Sequence, residues 1–296
     1  MTLALAHFAD EAAPAGRLAQ ALGAVLQPVD LHRFPDGETL PRVAAPAAET
    51  TVVYRSLDRP NGKLVDLLLA ADAWRRAGAR RLLLAAPYFC YLRQDAVFAA
   101  GEPLSRDVIA PLVGTRFDGV VTVQAHLHRT HDLAALLGAP AQNLWATEPL
   151  AAALPAYVAP PLVIGPDAES RGWAEAWARR LGGEAVTLAK SRRGDRSVSV
   201  AAPAPLPAAG RPVVIIDDVA SSGETLLQAA RLAAAAGAAS IDVAVVHALM
   251  DEPAIRRLTG AGVRRIVSAD GVAHPTNAAA LAPLLAQALV TMIGQA

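Results

Sequence analysis

Short apolar runs alternate along the chain with longer stretches in which apolar residues recur every three or four positions. Arg81–Ala86 (RLLLAA), Gly119–Val123 (GVVTV), Pro161–Gly165 (PLVIG), Val213–Ile216 (VVII) and Ile241–Val246 (IDVAVV) read as buried strands. Leu64–Ala77, Ser170–Leu181 and Thr225–Ala236 carry the helical period. Gly78, Gly182 and Gly237 follow them, where a helix ends in a left-handed residue. Strand, helix and strand in succession predict right-handed βαβ units around a mainly parallel sheet, an α/β fold. The pattern runs twice, to about Trp145 and again from about Thr147, so two domains are expected, 1–145 and 146–296, without a visible sequence repeat. A last helix near Ala278–Gly294 is a candidate to pack back on the first domain, and Ala201–Gly210 (AAPAPLPAAG) reads as a solvated loop.

Composition narrows the partners. Of 296 residues, 53% are hydrophobic and 18% charged, enough to bury a sizeable core. Lysine plus arginine and aspartate plus glutamate both number 27, which argues against the broad positive surface that nucleic acid demands and leaves open a small anionic ligand held by a few local groups. The single cysteine, Cys90, cannot form a disulfide within the chain; it reads as a small buried apolar residue in a reduced, cytoplasmic setting. The N-terminal apolar run is broken by His7 and Asp10 and has no basic flank, which argues against a signal peptide. No stretch has the length and apolarity of a membrane span.

The polar clusters follow the strands. Pro87–Asp95 comes after the first, Gln124–His128 after the second, Pro166-Asp167 after the third and Asp217-Asp218 after the fourth. Ligands of open α/β sheets bind beyond the carboxyl ends of the strands, so a site on one sheet edge is expected. The sharpest cluster is Val213–Thr225 (VVIIDDVASSGET). A buried strand ends in two carboxylates, a loop of Ala220, Ser221, Ser222 and Gly223 follows, and Thr225 opens a helix. Amides at a helix N-terminus and neighbouring hydroxyls suit a phosphate. The two acids would repel that phosphate and instead suit sugar hydroxyls, directly or through Mg²⁺. An acidic turn with serine as the helix cap is the plain structural alternative. The same alternative holds for Asp167 ahead of Ser170–Leu181, while Tyr88 and Tyr91 could be wall residues and His128 and His131 solvated ones.

The Val213–Thr225 pattern resembles the signature of type I phosphoribosyltransferases and of their relatives, the ribose-phosphate diphosphokinases (PRPP synthetases). The rest of the chain resembles the latter. Arg33–Glu38 (RFPDGE) is similar to their R-F-x-D-G-E motif, and Pro87–Asp95 to P-Y-x-x-Y-x-R-Q-D. Glu102–Ser105 is similar to E-P-I-S, His126 falls on D-x-H, and Gly165–Asp167 resembles S-P-D. Lys190–Arg196 (KSRRGDR) resembles the family's catalytic loop, and His274-Pro275-Thr276 resembles a C-terminal H-P-T segment, read as a helix start.

The resemblance implies two phosphoribosyltransferase-like domains with an active site between them. It implies transfer of the diphosphoryl group of MgATP to the C1 hydroxyl of ribose 5-phosphate, giving PRPP and AMP for nucleotide biosynthesis. Asp217, Asp218, Ser221, Ser222, Gly223 and Thr225 would bind ribose 5-phosphate. Arg93, Gln94 and Asp95 would bind ATP, with Phe34, Asp36 and Glu38 reaching the adenine from a neighbouring subunit of a dimer or hexamer. His126 and Asp167 would serve Mg²⁺, and Lys190 and Arg192 would act on the transferring group, the charge neutralisation that phosphoryl transfer requires. Departures gather on the nucleotide side. Ala96–Ala100 holds no cation, Gln124 replaces the acid of D-x-H, Ala189 replaces the acid before the lysine, Glu224 stands in for a glycine, and Ala168-Glu169-Ser170 follows Asp167. Another phosphopentose or donor, or a non-catalytic regulatory homologue, are the competing readings.

Overall fold

The computed structural model describes residues 2–97, 99–127, 132–167, 170–192, 198–201 and 206–294, with backbone alone for 189–192 and 198–201. The chain divides into two compact units, one formed by residues 1–145 and 281–296, the other by residues 146–280.

In the first unit β1 (Leu3–His7), α1 (Ala12–Leu22), β2 (Val25–Pro28), β3 (Asp30–Arg33), β4 (Thr39–Arg42), β5 (Thr50–Tyr54) and α2 (Pro60–Arg76) follow in turn. Then come β6 (Arg81–Ala85), α3 (Ser105–Gly114), β7 (Gly119–Val123), α4 (Leu133–Leu137) and β8 (Ala141–Leu144). Six strands form one sheet in the order β2-β1-β5-β6-β7-β8, every pairing parallel. β3 and β4 form a separate antiparallel hairpin. The central strands are buried along their whole length, as parallel strands covered on both faces must be. Trp74 on α2 is among the largest wholly enclosed side chains.

The second unit runs α5 (Thr147–Ala153), β9 (Leu162–Gly165), α6 (Arg171–Leu181), β10 (Glu184–Thr187), β11 (Ala189–Arg192), β12 (Val198–Ala201) and β13 (Pro212–Ala220). It ends with α7 (Glu224–Ala235), β14 (Ser240–Ala248), α8 (Glu252–Gly260), β15 (Val263–Ala269) and β16 (Asn277–Ala279). Its sheet is again six-stranded and parallel, in the order β10-β9-β13-β14-β15-β16, and β11 with β12 forms an antiparallel hairpin. The two sheets thus share one topology, each with a hairpin between its second and third strands. The final helix, α9 (Ala282–Gly294), packs on α1, β7 and β8 of the first unit. Arg81 at the start of β6 donates to the carbonyls of Ile293 (2.9 Å) and Met292 (2.6 Å), a cation on the negative end of that helix. α5 is held to α6 within the second unit by Trp173 Nε1 on Thr147 Oγ1 (3.1 Å) and Arg180 on Glu148 (2.7 Å).

The structure corrects three expectations. The four polar clusters lie on two sheet edges rather than one, because β6 and β7 belong to one sheet and β9 and β13 to the other. The strand read as Val213–Ile216 continues to Ala220, since β14 is long enough to pair it as far as Ala220–Ala248. His274-Pro275-Thr276 opens no helix. It is a turn into β16, with Asn277 bonding Ser268 and the Ala269 carbonyl, and the last helix begins at Ala282 rather than near Ala278.

Candidate active site

The strongest local arrangement is the passage from β13 into α7. Asp217 and Asp218 fall within the strand near its carboxyl end, and both are half-buried. Each accepts from the next amide: Asp218 N–H donates to Asp217 Oδ1 (3.0 Å) and Val219 N–H to Asp218 Oδ1 (2.8 Å). Ser221, Ser222 and Gly223 then make the turn, and Glu224, one residue earlier than expected, opens α7. Gly223 has φ 73°, a left-handed conformation that favours glycine. A Cβ there would also meet the Cβ of Ala254 at 3.4 Å, so the loop lies close against α8. Glu224 N–H lies 3.4 Å from Ser222 Oγ, and the Glu224 carboxylate is turned along the helix onto Gln228 Nε2 (3.1 Å). Among the described residues, the amides of Ser221, Ser222 and Gly223 donate to no internal acceptor. Three amides and two serine hydroxyls at the positive end of a helix form an anion cradle.

Asp167 follows β9, the neighbour of β13. Its Oδ1 accepts from Ser170 N–H (3.0 Å), and Ser170 Oγ donates back to the Asp167 carbonyl (2.6 Å). The carboxylate therefore bonds the residue that precedes α6, although the N-cap position itself is Ser170 rather than Asp167. Lys190 and Arg192 lie on β11, opposite Val200 and Val198 of β12; residues 193–196, the rest of the catalytic-loop resemblance, lie outside the described residues, as do His128 and His131.

In the first unit, Phe34, Asp36 and Glu38 share the exposed tip of the β3–β4 hairpin. Phe34 N–H donates to the Glu38 carbonyl (2.9 Å), Asp36 Oδ1 accepts from Glu38 N–H (3.1 Å), and Phe34 meets His32 edge-on at 4.5 Å. The hairpin is anchored by Thr39 Oγ1 on the buried Asp66 of α2 (2.7 Å). Arg93, Gln94 and Asp95 occupy the loop after β6. Gln94 Oε1 accepts from Ser105 Oγ at the start of α3, and Tyr91 OH donates to Asn61 Oδ1 (2.5 Å) at the start of α2. Both bonds tie the loop to helix N-termini. His126 follows Gln124 after β7. Arg59, Tyr91 and Gln124, with φ of 49°, 60° and 48°, are left-handed non-glycine residues after β5, β6 and β7, three adjacent strands. Such conformations concentrate at functional edges.

Sequence reasoning missed the groups below this edge. Glu11, after β1, accepts from Ser56 N–H (2.8 Å), Arg55 Nη1 (3.2 Å) and Lys63 Nζ (3.4 Å). Arg55 also donates to Asp10 (2.7 Å) and stacks over Phe8 at 4.1 Å. Burial outweighs both cations and pushes the Glu11 carboxyl up to about 7. This cluster sits where the cradle sits in the other unit, at the turn from the third sheet strand into its helix, but here the chain's own carboxylate takes the amide. Cys90 is buried and its thiol is pushed up to about 12 by desolvation, so it is a packing residue rather than a nucleophile.

Comparison with known proteins agrees with the geometry. Residues 4–115 match the family described as the N-terminal domain of ribose phosphate pyrophosphokinase, and residues 155–273 match the phosphoribosyl transferase domain. A ribose-phosphate pyrophosphokinase of Methanopyrus kandleri is 35% identical over 281 residues, 94% of this chain and 95% of that protein. One from Methanothermobacter thermautotrophicus is 31% identical over 93% of this chain and 95% of its own length. In fold, the chain matches the crystal structure of phosphoribosylpyrophosphate synthetase from Mycobacterium smegmatis with a TM-score of 0.85 over the whole of both chains, at 24% identity. From the cradle at the head of α7 to the hairpin of the first unit, the chain belongs to the ribose-phosphate pyrophosphokinase family.

Proposed function

We propose that the protein transfers the diphosphoryl group of ATP to the C1 hydroxyl of ribose 5-phosphate, giving PRPP and AMP for nucleotide biosynthesis. The observation that carries this reading is the β13–α7 passage, where unbonded amides, hydroxyls and a left-handed glycine follow directly on two carboxylates. The amides of Ser221–Gly223 and the hydroxyls of Ser221, Ser222 and Thr225 hold the 5-phosphate. Asp217 and Asp218 accept from the sugar hydroxyls and orient C1. The C1 oxygen then bonds to the β-phosphorus of ATP as the bridge to the α-phosphate breaks and AMP departs. Lys190 and Arg192 neutralise the charge that builds on the transferring oxygens.

Arg93, Gln94 and Asp95 contact ATP, and the exposed Phe34, Asp36 and Glu38 serve the adenine of a second copy. The roles divide by unit, residues 1–145 with the last helix on the nucleotide side and residues 146–280 on the sugar side. Mg²⁺ is the proposed metal. Among the described residues no three His, Cys, Asp or Glu groups gather into a cage. A small cation of this kind keeps several waters and takes other ligands from substrate phosphates. Asp167 and His126 are the proposed protein ligands, and the ion would supply charge neutralisation at the phosphate oxygens. A homo-oligomer, dimer or hexamer, in the cytoplasm is the proposed state; no helix among the described residues is long and apolar enough to cross a membrane.

The test is incubation of purified protein with MgATP and ribose 5-phosphate while AMP and PRPP are followed. Lys190→Ala is expected to lose about a hundredfold in rate or more, the usual cost of removing a charge-stabilising group. Wild-type protein that forms no more PRPP than this variant would sink the reading. The absence of cations across Ala96–Ala100 favours one extension, a panel of other nucleotide donors in the same assay.

A further inference from the structure

The loop between β13 and α7 is braced from behind by a residue that no motif marks. Arg257, in the last turn of α8, donates from Nη2 to the carbonyl oxygen of Ser222 at 3.1 Å. Among the described residues it is the one cationic side chain bonded to the loop backbone. Its neighbour Arg256 is engaged elsewhere, on Glu252 at 2.7 Å. The Ser222 carbonyl and the Gly223 amide belong to the same peptide group, so a trans peptide with its oxygen drawn toward α8 turns its N–H the opposite way. That N–H is one of the three unbonded amides of the cradle.

We infer that Arg257 is a positioning residue for the 5-phosphate, acting through the Ser222–Gly223 peptide. Two effects combine. A guanidinium on the carbonyl oxygen polarises the amide and strengthens its N–H as a donor. It also fixes which way the peptide faces. Gly223, having no Cβ, gives the flanking backbone access to more than one conformation, and a flipped peptide would present a carbonyl oxygen to the phosphate. The support behind Arg257 is itself built. The Asp251 carboxylate caps α8 by accepting from Ala254 N–H (2.9 Å), and Leu249 N–H donates to the Ala220 carbonyl (2.8 Å). His274 bonds the Met250 carbonyl through Nε2 (2.8 Å) while its Nδ1 meets Thr276 Oγ1 (2.7 Å). Met250 Sδ and Ala254 in turn form the floor beneath Gly223. The surroundings explain why the brace is cationic. Asp217, Asp218 and Glu224 place three acids within a few residues of the cradle, and Arg257 offsets them without occupying it.

The inference rests on the sugar-phosphate reading of this loop. Its experiment separates the two by measuring ribose 5-phosphate binding calorimetrically, apart from turnover. Arg257→Met, which keeps length and removes charge, and Arg257→Ala are expected to weaken ribose 5-phosphate about tenfold, the cost of one charge-assisted hydrogen bond. Inhibition by inorganic phosphate should weaken in parallel, the KM for ATP should stay within about twofold, and Arg257→Lys should recover most of the loss. In the ligand-free protein the Gly223 amide resonance is expected to move in Arg257→Met, a signature that direct contact of Arg257 with phosphate would not give. Unchanged ribose 5-phosphate affinity, or a loss of affinity with the Gly223 amide unmoved, overturns the inference. Wild-type protein that binds ribose 5-phosphate without making PRPP overturns the diphosphokinase reading alone, and wild-type protein that does not bind it overturns both.

Discussion

At the scale of single residues, Glu11 has the most to say about pH. Its carboxyl is buried, with about 7 in place of the ordinary 4.5. An acid raised in the folded state binds its proton more tightly there than in the unfolded chain. Its contribution to stability is therefore fully present below about pH 4.5 and declines as pH rises to about 7. Glu11→Gln removes that slope. The stability of the variant relative to wild type is expected to improve by about 3 kcal/mol between pH 5 and pH 8, read by urea unfolding at several pH values. Parallel curves would refute it. The sequence did not expose this cluster, because Glu11 and Arg55 stand 44 residues apart and neither lies in a motif. The residues of the β13–α7 passage were legible because strand, acids, small residues and helix follow one another without interruption. Asp167 was legible in position only; its carboxylate is engaged at the start of α6.

At the scale of elements, the strands that could be read were those buried on both faces, such as β7, found at the expected bounds. The edge strands β2, β8 and β10 could not. They have exposed or half-buried positions and no apolar run, and pairing with an inner neighbour is what makes them strands. The hairpins were likewise invisible as strands and visible only as motifs. Close packing between elements is testable at glycines. A Cβ on Gly114 of α3 would lie 1.9 Å from the backbone oxygen of Leu137 in α4, which cannot swing aside. Gly114→Ala is expected to cost about 3 kcal/mol, the upper range for overpacking. Gly172→Ala, in α6 with nothing within 4 Å, should stabilise by about 0.5 kcal/mol. Thermal unfolding of the two variants beside wild type checks both; a tolerated Gly114→Ala would show that α3 and α4 can part.

At the scale of the whole molecule, the two units share strand order and hairpin position without sharing recognisable sequence. Topology is stored in the spacing of apolar runs, which survives substitution, while identity is not. Equivalent places in the two units carry different residues. One hairpin bears Phe34, Asp36 and Glu38 and the other Lys190 and Arg192; one strand-to-helix turn is an open anion cradle and the other is closed by Glu11. The first unit is not a continuous stretch of chain, since α9 completes it with Leu285, Leu289 and Met292 buried. A fragment of residues 1–145 is therefore expected to unfold at lower temperature than the same fragment joined by a short linker to residues 281–294, measured by circular dichroism. Equal melting would show that α9 is dispensable to that unit.

The same helix sets an order of events during synthesis. α9 follows the whole second unit along the chain, so the nascent first unit waits, with the apolar surface over α1, β7 and β8 uncovered, while the second unit is made. A nick between the second unit and α9 would spare every residue of the β13–α7 loop and leave the first unit open, so damage near one end of the described chain is felt in the unit that begins at the other.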